Sequence, residues 1–332
     1  MKSVRAGNAH GTPGGAGAVA VKRAARRSEP AGRKSAARPR KRATEGADTV
    51  LITHPERVVF AATGATKGAV ADYYRQLAPW MLPELRDRPL SLLRCPDGAG
   101  HACFFQKHAG TRLGAHVRNV RLRDSSGVQQ YLCVDDAQGL LELVQMNTLE
   151  FHPWGCHART TASADRIVFD LDPHADVAWP EIAAAASIVR DHLAALGLSA
   201  FLRTSGSKGL HVVVPLRPAA PWLRARRFAK GVADALAAGH PARFVATAGE
   251  DKRVGRIFID WLRNSRGATS VAAYSLRARA DAGVAMPLAW ERLRSLTGAH
   301  AFTLANAAAH VRARRVDPWR DIDRIEQALP QR

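Results

Sequence analysis

An apolar strand ending in two carboxylates one residue apart can grip a cation, and Arg166-Ile167-Val168-Phe169-Asp170-Leu171-Asp172 is such a strand. Alternation along the strand puts Asp170 and Asp172 on one face. Like charges this close favour a hard divalent ion between them, whose preferred donors are carboxylate oxygens. Alone, the pair is equally compatible with a turn, since Asp and Pro173 are common turn residues. The segment Arg203-Thr204-Ser205-Gly206-Ser207-Lys208-Gly209-Leu210-His211 narrows the choice. Its two glycines let backbone N–H groups face an anion, Ser205 and Ser207 add hydroxyls, and Lys208 and His211 can approach phosphate oxygens. The spacing is not that of a P-loop, which needs G-x-x-x-x-G-K-[ST] leading into a helix; a plain hairpin turn is the alternative. A third carboxylate, Asp260, ends the apolar run Ile257-Phe258-Ile259. Three acidic strand ends beside a phosphate cradle can hold two metal ions, one activating a hydroxyl and the other holding a triphosphate and its leaving group. Arg253, Arg256, Arg263, Arg266 and Arg277 lie nearby in sequence, with forked guanidinium groups suited to phosphate.

These residues need a sheet to position them. From Asp48 onward, short β-branched runs alternate with amphipathic helices, the pattern of an α+β fold. Thr66 reads as the N-cap of a helix through Tyr73, Tyr74 and Leu77 that ends near Pro83. Strands are expected at Leu90 to Arg94, Val117 to Leu122 and Gln129 to Val134, then a helix across Leu140 to Met146; residues 47–160 form a first module. A second, residues 161–330, comprises a strand at Arg166 to Asp172, a helix at Pro180 to Leu196 and a strand-loop-strand at Ala200 to Leu216. A helix at Pro221 to Ala238 follows, with strands near Arg256 to Leu262 and Ser270 to Ser275. Pro287 and Leu288 then open a helical C-terminal region ending in the amphipathic stretch Pro318 to Leu329.

The formal charge of +20 over 332 residues favours a polyanionic partner, nucleic acid above all, because clustered Lys and Arg displace counterions from phosphates. Half of that charge lies in residues 1–46, where 12 Lys or Arg face two Glu among Gly, Ala, Ser and Pro. Such a segment cannot bury enough apolar surface to offset its ordering entropy and reads as a disordered basic tail. No run is long and apolar enough to span a bilayer, and the basic stretches lack the leucine or aromatic face of an interfacial helix, so the expectation is a soluble, cytoplasmic protein. Cys95, Cys103, Cys133 and Cys156 match neither a disulfide framework nor a paired zinc site and read as reduced, structural thiols; Cys156 beside His157, with His152 nearby, leaves a metal site as the alternative, without a second ligand pair at finger spacing.

Further motifs run in order through the chain: Thr53-His54-Pro55-Glu56-Arg57-Val58, Thr66-Lys67-Gly68, Arg94-Cys95-Pro96-Asp97-Gly98, Phe104-Phe105-Gln106-Lys107-His108 and Glu150-Phe151-His152-Pro153-Trp154-Gly155. With Asp170-Leu171-Asp172-Pro173, the Ser205 to His211 loop and Asp260-Trp261-Leu262-Arg263-Asn264, they make residues 48–330 closely resemble the polymerase domain of bacterial ligase D. That domain is the end-joining branch of the archaeo-eukaryotic primase superfamily. The resemblance implies a curved, largely antiparallel catalytic sheet with flanking helices and an N-terminal DNA-binding module. It also implies an enzyme that adds NTP or dNTP units to a 3′-hydroxyl at broken DNA ends with two Mn²⁺ or Mg²⁺ ions, close to the nucleoid and beside Ku and a separate DNA ligase.

Carried over by position, Asp170, Asp172 and Asp260 match the family's metal ligands and His152 a histidine important for activity. Ser205, Lys208 and His211 match its triphosphate loop, and Arg263 and Arg277 basic residues at the nucleotide. Phe104 and Phe105 match an aromatic pair near the bases, where stacking holds nucleobases without sequence choice. His54, Arg57 and Lys67 match a pocket for the 5′-phosphate of a recessed end, although family members often carry Lys where Arg57 stands. A stand-alone primase is disfavoured because no zinc module is evident, and an inactive DNA-end scaffold because Asp170, Asp172, Asp260 and His211 are all intact.

Overall fold

The computed structural model describes residues 49–110, 114–124 and 126–331, so the expected tail, 1–46, lies outside the described residues. Residues 48–332 form one compact unit. The chain begins with a small hairpin, β1 (Val58–Phe60) and β2 (Ala65–Thr66), and runs straight into α1 (Lys67–Leu85). The Thr66 hydroxyl accepts from Ala69 N at 3.2 Å, the expected cap. Val70, Tyr73, Tyr74, Leu77, Met81 and Leu85, which recur at i, i+3, i+4, i+7, i+11 and i+15, are buried along one side of α1.

A five-stranded antiparallel sheet follows, from β3 (Leu90–Arg94), β4 (Phe104–Gln106), β5 (Val117–Asp124), β6 (Gly127–Val134) and β7 (Thr148–Pro153), with α2 (Ala137–Gln145) between the last two. Its order is β4-β3-β6-β5, with β7 also on β3. The helix expected from Leu140 begins three residues earlier because Asp136 caps it, accepting from Gly139 N at 2.8 Å.

The second sheet holds β8 (Ser163–Pro173), β9 (Phe201–Thr204), β10 (Leu210–Pro221), β11 (Phe244–Val245), β12 (Ile257–Asp260) and β13 (Pro287–Leu288), in the order β11-β12-β8-β10-β9-β13. Every pairing is antiparallel except β11 with β12, as the resemblance implies. Helices α3 (Trp179–Ala195) and α4 (Trp222–Gly239) pack against β8 and β10. Within β8, Ile167, Phe169 and Leu171 are fully buried, while Asp170 and Asp172, on alternate positions, are half-buried. A short helix, α5 (Ala307–Arg312), lies near the C-terminus.

Three expectations need correction. Ser270 to Ser275 is not a strand: Tyr274 turns into the left-handed region at φ 66°, and the segment bonds piecemeal to two neighbours, Ala272 N to Phe151 O and Tyr274 N to Ala285 O. Pro287 and Leu288 do not open a helix but pair with β9, and Pro318 to Leu329 is a run of turns followed by irregular chain rather than an amphipathic helix. There, tertiary partners replace helical ones, with Trp319 Nε1 donating to Leu202 O at 3.0 Å and Gln327 Nε2 to Pro215 O at 2.7 Å. Finally, Cys95 and Cys103 are disulfide-bonded, not reduced. Gly98 and Gly100, at φ 94° and 95°, fold the chain back so that the two Cα atoms stand 4.3 Å apart. At Gly98 a side chain would in addition press on Val59 O, 2.9 Å from a Cβ. Cys133 and Cys156 are free and buried.

Candidate active site

The register of the second sheet draws one row of side chains from four strands. Asp260 on β12 stands opposite Asp170 on β8, Asp170 opposite His211 on β10, and His211 opposite Arg203 on β9. Residues directly opposite on antiparallel strands share a face, so the row points one way, with Asp172 two positions along β8 on the same side. His211 Nε2 lies 3.3 Å from Asp170 Oδ1, and Arg203 Nε donates to His211 Nδ1 at 3.1 Å. After β12 the chain turns, and Asn264, almost fully buried, clamps β8 by accepting from Val168 N at 2.7 Å and donating to Val168 O at 2.8 Å. That turn brings Arg263 back over the row, its Nε 3.0 Å from Asp260 Oδ2 and 3.8 Å from Asp170 Oδ2.

The carboxylates are not equivalent. Burial pushes the Asp170 carboxyl upward, but His211, Arg263 and Arg277 together hold it down at about 2. Asp260 lies above the usual carboxylate range, driven by burial and by the charge of Asp170 against the pull of Arg263. Burial also lowers His211, with Arg203 and Arg277 adding to the effect against Asp170, so the imidazole favours its neutral form. Asp172 is held by Arg253 at 2.9 Å and Lys208 at 3.3 Å.

Among the described residues no three His, Cys, Asp or Glu side chains are gathered closely enough to cage an ion as they stand. The donor set nevertheless fits a hard cation: two facing carboxylates plus a third, all oxygen, with the Arg263 guanidinium standing in as the shared positive charge. The Arg263 and Lys208 side chains, paired with these carboxylates, are about half-exposed.

The loop between β9 and β10 borders the row. Ser205 Oγ accepts from Ser207 N at 3.3 Å and Gly209 N at 3.1 Å, closing the loop on itself, while the exposed Lys208 reaches outward. Gly206 is obligatory, at φ 68° and with Val284 C only 2.7 Å from where a Cβ would lie. Arg277 Nη1 donates to Ser205 O at 2.8 Å and its Nε to Glu150 Oε2 at 3.0 Å. Glu150 also takes Ala278 N at 2.7 Å and sits 2.8 Å from His152 Nε2. Burial raises the Glu150 carboxyl, but His152 and Arg277 bring it below the ordinary range. Glu150 is one of the residues that sequence reasoning missed as a site member. Its signal was present, since Glu150 and His152 are two apart on a strand and face the same way, but a lone acid in an apolar run does not announce its partners.

Phe105 meets the His152 ring edge-on at 5.3 Å, and Arg94 lies 5.4 Å from the Phe104 ring centre. Neither Phe packs in the core: they are 47% and 55% exposed, respectively. His54, Arg57 and Lys67 gather around the start of α1, away from the aspartate row. His54 is exposed. Arg57 donates to Pro96 O at 2.5 Å and to Asn147 Oδ1. Lys67 is buried, its Nζ bonded to Thr53 O at 3.2 Å and to Gln145 O and Oε1 at 2.9 and 2.8 Å; burial and the nearby Arg57 lower its pKa. The first amides of α1 are already taken by Arg57 O, Pro55 O and the Thr66 hydroxyl, so an anion at this corner would be held by side chains.

Comparison with known proteins bears on this arrangement. The family model for the LigD primase-polymerase domain matches residues 66–319. The chain is 38% identical over 298 residues to the multifunctional non-homologous end joining protein LigD of Pseudomonas aeruginosa, covering 90% of this chain and 35% of that protein. It is 36% identical over 252 residues to the corresponding DNA repair protein of Mycobacterium tuberculosis, covering 74% of this chain and 33% of that one. The chain thus spans about a third of the length of these curated relatives. The polymerase domain of Mycobacterium tuberculosis ligase D, solved in complex with DNA, superposes with a TM-score of 0.78 at 33% identity, covering 84% of this chain and 99% of that domain.

Proposed function

Because the chain belongs to the LigD primase-polymerase domain family, we propose that it is a nucleotidyltransferase that adds ribo- or deoxyribonucleotides to a 3′-hydroxyl at DNA ends during double-strand-break joining. The observation that carries the reading is the cross-strand placement of Asp260 against Asp170, beside a basic loop of phosphate-binding character. Asp170, Asp172 and Asp260 would hold two Mn²⁺ or Mg²⁺ ions. Such ions, when bound, supply Lewis-acid activation of the 3′-hydroxyl and neutralise the triphosphate and departing pyrophosphate.

The chain's own residues do the rest. Lys208, Arg263 and Arg277 neutralise and orient the triphosphate, Ser205 shapes the loop, and His211 fixes the Asp170 carboxylate from below. The 3′-hydroxyl gives up its proton to solvent as its oxygen bonds to the α-phosphorus, and the bond to the α,β-bridging oxygen breaks, releasing pyrophosphate. Glu150 holds His152 and Arg277 to the same scaffold, so His152 acts next to the nucleotide and not on DNA at large. Phe104 and Phe105, exposed beside this edge, are placed to stack on bases. A separate ligase and Ku would complete end joining. A primer-extension assay with labelled ribonucleotides and manganese on a gapped duplex tests the reading: template-directed addition is expected, and failure of both ribo- and deoxyribonucleotides to extend the primer would leave a DNA-end scaffold.

The corner made by His54, Arg57 and Lys67 would take the downstream 5′-phosphate, with His54 and Arg57 in contact and Lys67 contributing its charge from beneath. A charge-assisted hydrogen bond contributes about 1.5–3 kcal/mol, so gap filling should proceed roughly tenfold better on 5′-phosphorylated than on 5′-hydroxyl ends. Arg57→Ala should shrink that ratio toward one. Equal rates on both ends in the unmodified protein would remove the pocket.

A further inference from the structure

The row of side chains continues one strand beyond the carboxylates and His211, to a buried cation. Arg203 on β9 is 1% exposed and makes three directed bonds. Its Nε donates to His211 Nδ1 at 3.1 Å, its Nη1 to Glu84 Oε1 at 2.7 Å and its Nη2 to Ser270 Oγ at 3.1 Å. Glu84, near the C-terminus of α1, is the counter-charge: it also accepts from Arg166 Nη1 at 2.9 Å and from Ala273 N. A continuous path therefore runs from α1 through Glu84, Arg203 and His211 to Asp170.

A guanidinium has donors only and keeps its proton. Nδ1 of His211, facing Arg203 Nε, must accept, so the ring hydrogen sits on Nε2, the atom 3.3 Å from Asp170 Oδ1. We propose that Arg203, anchored by Glu84, is a positioning residue that selects the His211 tautomer donating to Asp170 Oδ1 and thereby leaves Asp170 Oδ2 turned toward Arg263 and any cation that replaces it. Without that donor, His211 can carry its hydrogen on Nδ1. Nε2 would then present a lone pair to the carboxylate, and Asp170 would turn away from the geometry it shares with Asp260. A buried ion cluster serving the fold alone would need only charge balance, which Glu84 and Asp165, 3.6 Å from Arg166 Nε, supply to the two arginines. The donation of Arg203 Nε to an imidazole, in register with Asp170 and Asp260, is the feature charge balance does not require. This inference rests on Asp170 acting in nucleotidyl transfer.

The test joins a spectroscopic readout to a kinetic one. In the full chain labelled with ¹⁵N-histidine, long-range ¹H–¹⁵N correlations should show His211 as the Nε2–H tautomer, the signal being assigned by its absence in His211→Gln. Arg203→Gln, which can accept as well as donate, should lose the single-tautomer signature. In primer extension its kcat should fall about 10–100-fold, the usual effect of removing an outer partner of a ligand, with KM for the nucleotide nearly unchanged. Arg203→Lys, still a donor only, should restore the tautomer and most of kcat. A wild-type His211 protonated at Nδ1 overturns the proposal even if Arg203→Gln fails to fold, as does an unchanged signature or an unchanged kcat in a folded Arg203→Gln. Should the wild type extend no primer, the functional reading fails while the tautomer still reports on Arg203.

Discussion

Asp170→Asn should abolish nucleotide addition while leaving the fold and most DNA binding in place. The substitution keeps the volume and an acceptor for His211 Nε2, which lies 3.3 Å from Asp170 Oδ1, but removes the charge that Arg263 and a divalent ion would share. Metal-assisted stabilisation of the transferring phosphoryl group supplies several kcal/mol, and at about 1.4 kcal/mol per decade its loss should slow single-turnover extension at least about 10³-fold. Affinity for duplex DNA should change little, because on the proposed reading it would come from phosphate contacts spread over a chain of formal charge +20. Rates within tenfold of the wild type at saturating DNA and nucleotide would remove Asp170 from the reacting centre.

The largest expected effect on stability lies at Glu84. Its carboxylate is buried, its Oε1 shared by Arg203 at 2.7 Å and Arg166 at 2.9 Å. Glu84→Ala leaves the buried Arg203 without a carboxylate and Arg166 with only Asp165, 3.6 Å from its Nε, and removing one partner of a buried pair costs about 3–5 kcal/mol. In thermal melts that is a drop of roughly 10 °C, at about 2–4 °C per kcal/mol for domains somewhat smaller than this one. Asp72→Ala supplies the contrast, since its partner Arg75 and the carboxylate are both solvent-exposed and such pairs contribute about 0–1 kcal/mol. The acid limb carries a second signature. Burial raises the Glu84 carboxyl, but Arg203 and Arg166 bring it below its ordinary value. Its contribution is therefore complete above the unfolded pKa of about 4.3 and is lost as pH falls through the lowered value. Glu84→Gln should flatten that limb in denaturant titrations, and identical acid limbs in the two proteins would mean that Glu84 is not the charge the two arginines rely on.

Much of the site was legible because strand alternation is a local rule. Asp170 and Asp172 were placed on one face by their spacing, Asp260 by the apolar run before it, and Leu90 to Arg94 was bounded correctly between Pro89 and Cys95. The register that sets Asp260 against Asp170 was not legible, because it depends on which strands become neighbours in the sheet. Glu150, Glu84 and Arg203 escaped because each also has a partner far along the chain: Arg277 lies 127 residues from Glu150, and Arg203 119 residues from Glu84. Ser270 to Ser275 and Pro318 to Leu329 had the right local patterns for a strand and a helix. Bonds to Phe151, Ala285, Leu202 and Pro215 outweighed those preferences. The Cys95–Cys103 bond depends on two left-handed glycines that spacing alone did not weigh.

The exposed aromatic pair on β4 has a cost in solution behaviour. Among the described residues β4 is the edge of its sheet, with no strand beyond it, and Phe104 and Phe105 place apolar surface beside that edge. An edge of this composition is a template for pairing between molecules. Two features limit the hazard: β4 is only three residues long, too short for an extended ladder, and Cys103 ties its start to the end of β3. Strong like charge between copies adds a third safeguard, one that salt screens. The surface proposed to hold a base would thus also be open to self-association, and colloidal stability of the free protein should be poorest where the ionic strength is high and no nucleic acid covers that edge.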